Sequence, residues 1–110
     1  MAEIESIHAH IYFDPPDLAA AQALARAAAE RFDLRVGRFH EKPVGPHPRG
    51  SCQLTVAPQD LGGFVGWAAQ ARGGLTIFTH LETGNDLADH TQHVIWLGPS
   101  EPLDIAQFGG

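Results

Sequence analysis

The sequence predicts an α+β fold on the ferredoxin-like plan, β-α-β-β-α-β, with one extra short strand. Three observations predict it. Ile7, Ala9, Ile11 and Phe13 alternate with His8, His10 and Tyr12, the period of two of a strand with one buried face. Residues 18–32 and about 58–72 instead repeat their apolar positions every three and four residues, as helices packed on one side do. Strand-like segments flank these helices in the order one, then two in succession, then one, followed by a short fifth.

Each element has a local reason. Asp14-Pro15-Pro16-Asp17 breaks the first strand. Either aspartate is expected to N-cap the helix, with proline in its first positions. Leu18 to Phe32 is rich in alanine, the best helix former, and Leu18, Ala21, Leu24, Ala25, Ala28 and Phe32 share one face. Leu34 to Phe39 is the second strand. Residues 41–48 carry three prolines, which remove donors and fix φ, so they form a stiff extended loop. Ser51 to Ala57 is the third strand, with Cys52, Leu54 and Val56 facing inward, and Cys52 reads as core and not as a nucleophile. Leu61, Phe64, Val65, Ala68 and Ala71 form the stripe of the second helix, which Gly73-Gly74 ends. Leu75 to His80 is the fourth strand, Thr83 to Asp86 a turn, and His93 to Leu97 the fifth strand, closed by Gly98-Pro99. The last dozen residues read as a loop or short tail. Trp67 and Trp96 read as packing residues. The whole chain, residues 1–110, reads as one domain.

Composition narrows the function classes. Thirteen acidic against seven basic residues give a net charge of −6 with no basic cluster, which argues against nucleic acid. No apolar run reaches the roughly 18–20 residues of a membrane span. The first ten residues have neither the basic nor the apolar region of a signal peptide. A single cysteine excludes an internal disulfide and a cysteine zinc finger. The expectation is a soluble cytoplasmic domain.

Seven histidines equal the lysines and arginines in number. Histidine is the commonest metal ligand, so their placement matters. With strands one and three taken as parallel, and two and four as antiparallel to them, one end of the sheet should gather His8 and His10, His40 and Glu41, His47 and His80. The alternation also turns His8, His10 and Tyr12 to the face away from the helices, together with Thr76, Phe78 and His80. His80 then lies about 5 Å from one strand-one histidine, or diagonally about 7–8 Å, close enough for two imidazoles to share an ion. Imidazoles with one carboxylate suit Fe(II), Zn(II), Mn(II) or Cu(II). Asp89-His90-Thr91 reads either as a carboxylate orienting an imidazole or as a turn, and His93 as partly buried beside Ile95 and Leu97. The residues alone reach a small α+β domain with a candidate histidine metal site. A non-catalytic module for a metal or small ligand, a zinc hydrolase or isomerase, and an interaction domain with surface histidines all stay open.

Four segments carry a resemblance: residues 8–14 (HAHIYFD), 41–48 (EKPVGPHP), 80–86 (HLETGND), and Asp89-His90-Thr91 with Trp96-Leu97-Gly98. In this order and spacing the chain resembles the DOPA 4,5-dioxygenase family over nearly its whole length, HAHIYFD and PVGPHP being the most specific. Leu81 stands where the family often has proline. The resemblance implies extradiol ring cleavage of a DOPA-like catechol with O2 and a non-haem ferrous ion, on a ferredoxin-like or dimeric α/β-barrel fold. Fe(II) is the expected cofactor, and zinc or nickel can replace it in purified protein because the affinity order favours them. The implied ligands are His8, His10 and His80. His47 is the candidate acid–base group, His90 a second catalytic candidate, and Glu41 a ligand or a partner of one. Asp89 or Glu82 would fix an imidazole ring. Tyr12, Glu41 and Phe78 are the candidate substrate-binding residues, with Phe39 a further wall of the aromatic slot. The expected partners are a small catechol, O2 and a second copy of the chain, with no nucleic acid and no membrane.

Overall fold

The alternation in β1 (Ser6–Phe13) sorts its side chains: Ile7, Ala9, Ile11 and Phe13 are fully buried under the helices, and His8, His10 and Tyr12 lie on the opposite face. The structure, a computed structural model, describes residues 1–109. β1 is followed by α1 (Leu18–Arg31), β2 (Leu34–His40), β3 (Gly50–Val56), α2 (Leu61–Ala71), β4 (Thr76–Glu82), α3 (Asp86–Thr91) and β5 (Val94–Leu97). Single 3-10 turns at Pro15–Asp17 and Pro58–Asp60 lead into α1 and α2, and a third spans Ile105–Phe108. The prolines pre-set φ for those first turns. Neither Asp14 nor Asp17 accepts a capping hydrogen bond through its side chain. α2 ends where Gly73 takes φ +59°, a conformation that side chains resist.

The sheet is antiparallel and five-stranded, in the order β2-β3-β1-β4-β5, so the chain is α+β. Ala21, Leu24, Ala25 and Ala28 of α1 and Phe64 and Ala68 of α2 close one core with the inward residues of β1, β3 and β4. Cys52 lies in that core, where burial pushes its thiol up to about 11. Trp67 packs on Phe32 and Phe64 on the helical side.

One expectation is corrected. β1 and β3 run antiparallel, not parallel: Ile7 pairs with Val56 and Phe13 with Gly50. Each helical crossover joins two parallel strands and the β2–β3 connection reverses direction, so β1 must oppose both β3 and β4. The start of β1 therefore meets the end of β4, Ser6 against Glu82, while the end of β2 meets the start of β3, His40 against Ser51. His40 and Glu41 accordingly leave the end of the sheet that holds His8 and His80.

Two local features shape the open face. The β2–β3 register breaks between Val36 and Phe39, which leaves Gly37 and Arg38 together opposite Gln53 as a β-bulge. The bulge turns Phe39 to the core, against Phe13, so it is no wall of an aromatic slot. The segment read as a turn continues into α3. Asn85 caps this helix by accepting from the Ala88 amide at 3.1 Å, and Asp86 and Asp89 sit in its first turn. Among the described residues no helix is long and apolar enough to cross a membrane.

Candidate metal centre

The pleat of β1 and its register with β4 build the centre. His8 pairs directly with His80, and His10 with Phe78, all on the face away from α1 and α2. His8, His10 and His80 each offer a ring nitrogen within 4.8 Å of the others. Between His10 Nε2 and His80 Nε2 the distance is 3.1 Å. His80 Nδ1 lies 2.9 Å from the Leu81 carbonyl, to which it donates, so His80 Nε2 carries a lone pair. At 3.1 Å His10 Nε2–H donates to His80 Nε2; with its proton on Nδ1 instead, His10 would offer Nε2 to an ion shared with His80. Glu82, two residues beyond His80 on the same face, sets its Oε1 3.3 Å from His8 Nδ1 and 3.7 Å from His80 Nδ1. A carboxylate behind a ligating imidazole is the usual device for holding the ring.

Electrostatics favour neutral rings, the state a metal requires. Burial first, then the neighbouring His47 and His80, holds His10 well below the ordinary imidazole value. Burial holds His80 down to about 4, and burial followed by His90 lowers His8.

Two more histidines adjoin the three. His47 reaches the face from the proline-rich loop, which folds back through a hydrogen bond from its own amide to Val44 and one from the Asp104 amide to Pro46. Its ring centroid lies 4.1 Å from that of His10. Its Nδ1 is 2.7 Å from the hydroxyl of the fully buried Tyr12. Burial raises the Tyr12 phenol and lowers His47 to about 4, so the neutral phenol donates and His47 keeps its proton on Nε2. His90, on α3, stands 4.1 Å from His80 between ring centroids and stacks on Phe108 at 4.5 Å. Its Nδ1 donates to the Asp86 carbonyl at 2.7 Å, which leaves Nε2 as an acceptor. Asp89 faces elsewhere: fully buried, it accepts from the Thr83 amide, the Thr83 hydroxyl and His93 Nδ1.

Phe78 stacks on Trp96 at 4.5 Å, and both lie about 6 Å from Tyr12. Trp96 thus belongs to the wall of the centre. Its strand position opposite Phe78 was a usable signal. Phe108 had none. A cavity of about 280 Å³ opens beside His10 and His47, lined also by Gly37, Arg38, His40, Val44, Ser51 and Gln53. Glu41 is exposed in the turn after β2 and makes no hydrogen bond or ion pair among the described residues. Glu82 is the carboxylate beside the histidines.

The family profile described as "Dopa 4,5-dioxygenase family" matches residues 7–107. The chain belongs to this family. The matched span includes HAHIYFD, which supplies β1 with two of the three clustered histidines, and PVGPHP, which supplies the loop with His47. A relative from Amanita muscaria described as DOPA 4,5-dioxygenase is 32% identical over 116 aligned positions, covering 97% of this chain and 51% of that protein. An uncharacterised 21.2 kDa protein of Botryotinia fuckeliana is 35% identical over 82 positions, 67% of this chain and 45% of that protein. The chain spans about half the length of these curated relatives. A crystal structure of a candidate dioxygenase from Nostoc punctiforme superposes with a TM-score of 0.90 at 37% identity, covering 96% of this chain and 90% of that one.

Proposed function

We propose that the protein is an extradiol dioxygenase that opens the ring of a DOPA-like catechol with O2, using a non-haem Fe(II) held by His8, His10 and His80. The observation that carries the reading is the convergence of these three histidines, in a chain of the Dopa 4,5-dioxygenase family. The ion, when bound, supplies a site for the two catechol oxygens and for O2. The protein's own groups do the rest. Glu82 and the Leu81 carbonyl hold the rings of His8 and His80. His47 presents Nε2–H as a proton donor, and His90 presents Nε2 as an acceptor, so the site has one of each for a catechol that must lose and regain protons. Tyr12, Phe78 and Trp96 wall the aromatic ring and exclude water.

We read the fold as ferredoxin-like with an added edge strand. Its open face, which carries the partly exposed Trp96 and His8, is covered by a second copy in a dimeric α/β barrel acting in the cytoplasm. Sedimentation tests the dimer. For the activity, the test is anaerobic loading with Fe(II), then air and a panel of catechols. A yellow product with stoichiometric O2 uptake, absent in His8→Ala and His80→Ala, is expected. Tight iron binding without O2 uptake for any catechol would instead assign a non-catalytic metal-binding module. Absence of metal binding would refute the centre itself.

A further inference from the structure

We propose that the cavity beside His10 and His47 selects catechols whose side chain bears a carboxylate and no ammonium group, with Arg38 as the residue that recognises the anion. This rests on the catechol reading above and names its substrate class. The cavity adjoins the centre through His10 and His47 and is lined on the β2 side by Gly37, Arg38 and His40. A substrate with its diol at the histidines therefore extends its side chain toward the bulge. Arg38 stands on that bulge and has no ion-pair partner among the described residues, unlike Arg49, which is held bidentately by Glu101. A free guanidinium is the preferred partner of a carboxylate, since its donor fork matches both oxygens. The His40 ring, the Ser51 hydroxyl and the Gln53 amide add polar partners. Among the described residues no aspartate or glutamate lines the cavity. The nearest in sequence, Glu41, is exposed and outside the lining. Asp14 and Glu101 are taken by Arg49. An amino-acid side chain such as that of DOPA would bring its ammonium beside Arg38 with no carboxylate to meet it, only His40, Ser51 and Gln53. Like charges at such range disfavour binding.

The test uses the iron-loaded protein without O2. Calorimetric titration compares 3-(3,4-dihydroxyphenyl)propionate, L-DOPA, dopamine and 4-methylcatechol, and O2 is then admitted to each complex. The propionate should bind about tenfold tighter than L-DOPA, and dopamine most weakly, in line with one charge-assisted pair gained and one repulsion avoided. Arg38→Gln should bring the propionate and 4-methylcatechol within about twofold of each other. Arg38→Glu should move the preference to dopamine. Arg38 is exposed, so both variants keep the fold. L-DOPA or dopamine binding as tightly as the propionate, or Arg38 variants that shift all four ligands alike, would overturn the inference. Selective binding of the propionate with no O2 uptake would refute the dioxygenase reading while upholding the anion site. No binding of any of the four would overturn both.

Discussion

The Tyr12 hydroxyl lies 2.7 Å from His47 Nδ1, with Tyr12 fully buried and His47 nearly so. A residue of β1 thereby sets the tautomer of a histidine delivered by a loop 35 positions later. The phenol also lies under the Arg49 guanidinium, 5.9 Å from its ring centre, and Arg49 ties this end of the sheet to Glu101 near the C-terminus.

Tyr12→Phe removes the donor and leaves Nδ1 buried without a partner. A stability loss of about 1–3 kcal/mol is expected from that unpaired nitrogen. The free ring also exchanges tautomers, so kcat should fall by about tenfold or more while KM changes little. His47→Ala should fall further, by about 100-fold, because the proton donor itself is gone. Thermal melts and O2-electrode kinetics on the two variants check both statements. Equal loss in KM and kcat would instead mean that the Tyr12 hydroxyl, and not only its ring, contacts the substrate.

Metal binding should stabilise the fold. Fe(II) or Zn(II) held by His8, His10 and His80 binds the native state only, so a hundredfold excess over Kd adds about 2.7 kcal/mol. In a chain of this size that raises the melting temperature by roughly 10 °C. A chelator should reverse it. His8→Ala is the informative variant because His8 is only partly buried and its removal leaves little cavity. It should melt like the metal-free wild type and gain little from added metal. A melting temperature of the wild type that ignores metal would remove the site.

β1 was legible because its two faces differ chemically at every second residue, and the same alternation placed His80 and Phe78 on the open face. No single residue reports strand direction, and taking β1 and β3 as parallel puts His40 and Glu41 at the wrong end of the sheet. His47 reached the centre by a loop fold, which no periodicity reports. Glu82, one of the two carboxylates expected to fix a ring, shares the face of His80 by simple alternation, a stronger signal than the nearness of Glu41 to His40. α3 has six residues, too few for a helical stripe, and only its Asn85 cap and acidic first turn announce it.

The metal-free protein should lose stability as pH falls from 6.5 toward 4. Burial depresses His47 and His80 from 6.5 to about 4, and His8 and His10 are lowered as well. In that window the unfolded chain takes up protons that the folded chain refuses, so stability rises with pH and is fully present above about 6.5. Asp89, whose hydrogen bonds from Thr83 and His93 outweigh its own desolvation, is held below 3.8 and adds its loss only in more acid solution. Urea midpoints measured between pH 7.5 and 4.5 should fall steadily, and His47→Ala should flatten the slope. A flat profile in the wild type would mean that these rings protonate within the fold.

Asp89 is expected to hold α3 against the end of β4. Its carboxylate receives the Thr83 amide and hydroxyl at 2.7 Å each and His93 Nδ1 at 2.8 Å, with no solvent exposure. Asp89→Ala strips all three donors of their acceptor and should cost about 3 kcal/mol. The more telling effect is on His90, one residue along the same helix and 4.1 Å from His80 between ring centres. With α3 loosened, activity should fall more than metal affinity, because His8, His10 and His80 are set by the pairing of β1 with β4, to which Asp89 contributes no bond. Iron stoichiometry measured beside O2 uptake separates the two.

Gly50 is predicted to be irreplaceable for a reason of space. It opens β3 between the ends of β1 and β2, and a Cβ there would stand 2.7 Å from the Phe13 carbonyl oxygen and 2.9 Å from that of His40. Both neighbours are backbone, so neither can turn aside. Gly50→Ala must spread the strands, at an expected cost of about 1–3 kcal/mol for overpacking. The displaced strand start lies three residues after His47 and directly beside Ser51, which pairs with Tyr12. The Tyr12–His47 hydrogen bond should therefore lengthen, and the variant should reproduce the kcat loss of Tyr12→Phe on top of its own lower melting temperature. A Gly50→Ala protein with normal stability and turnover would show that the strand ends have slack and that the loop bearing His47 is positioned from elsewhere, through the hydrogen bond that the Asp104 amide donates to the Pro46 carbonyl.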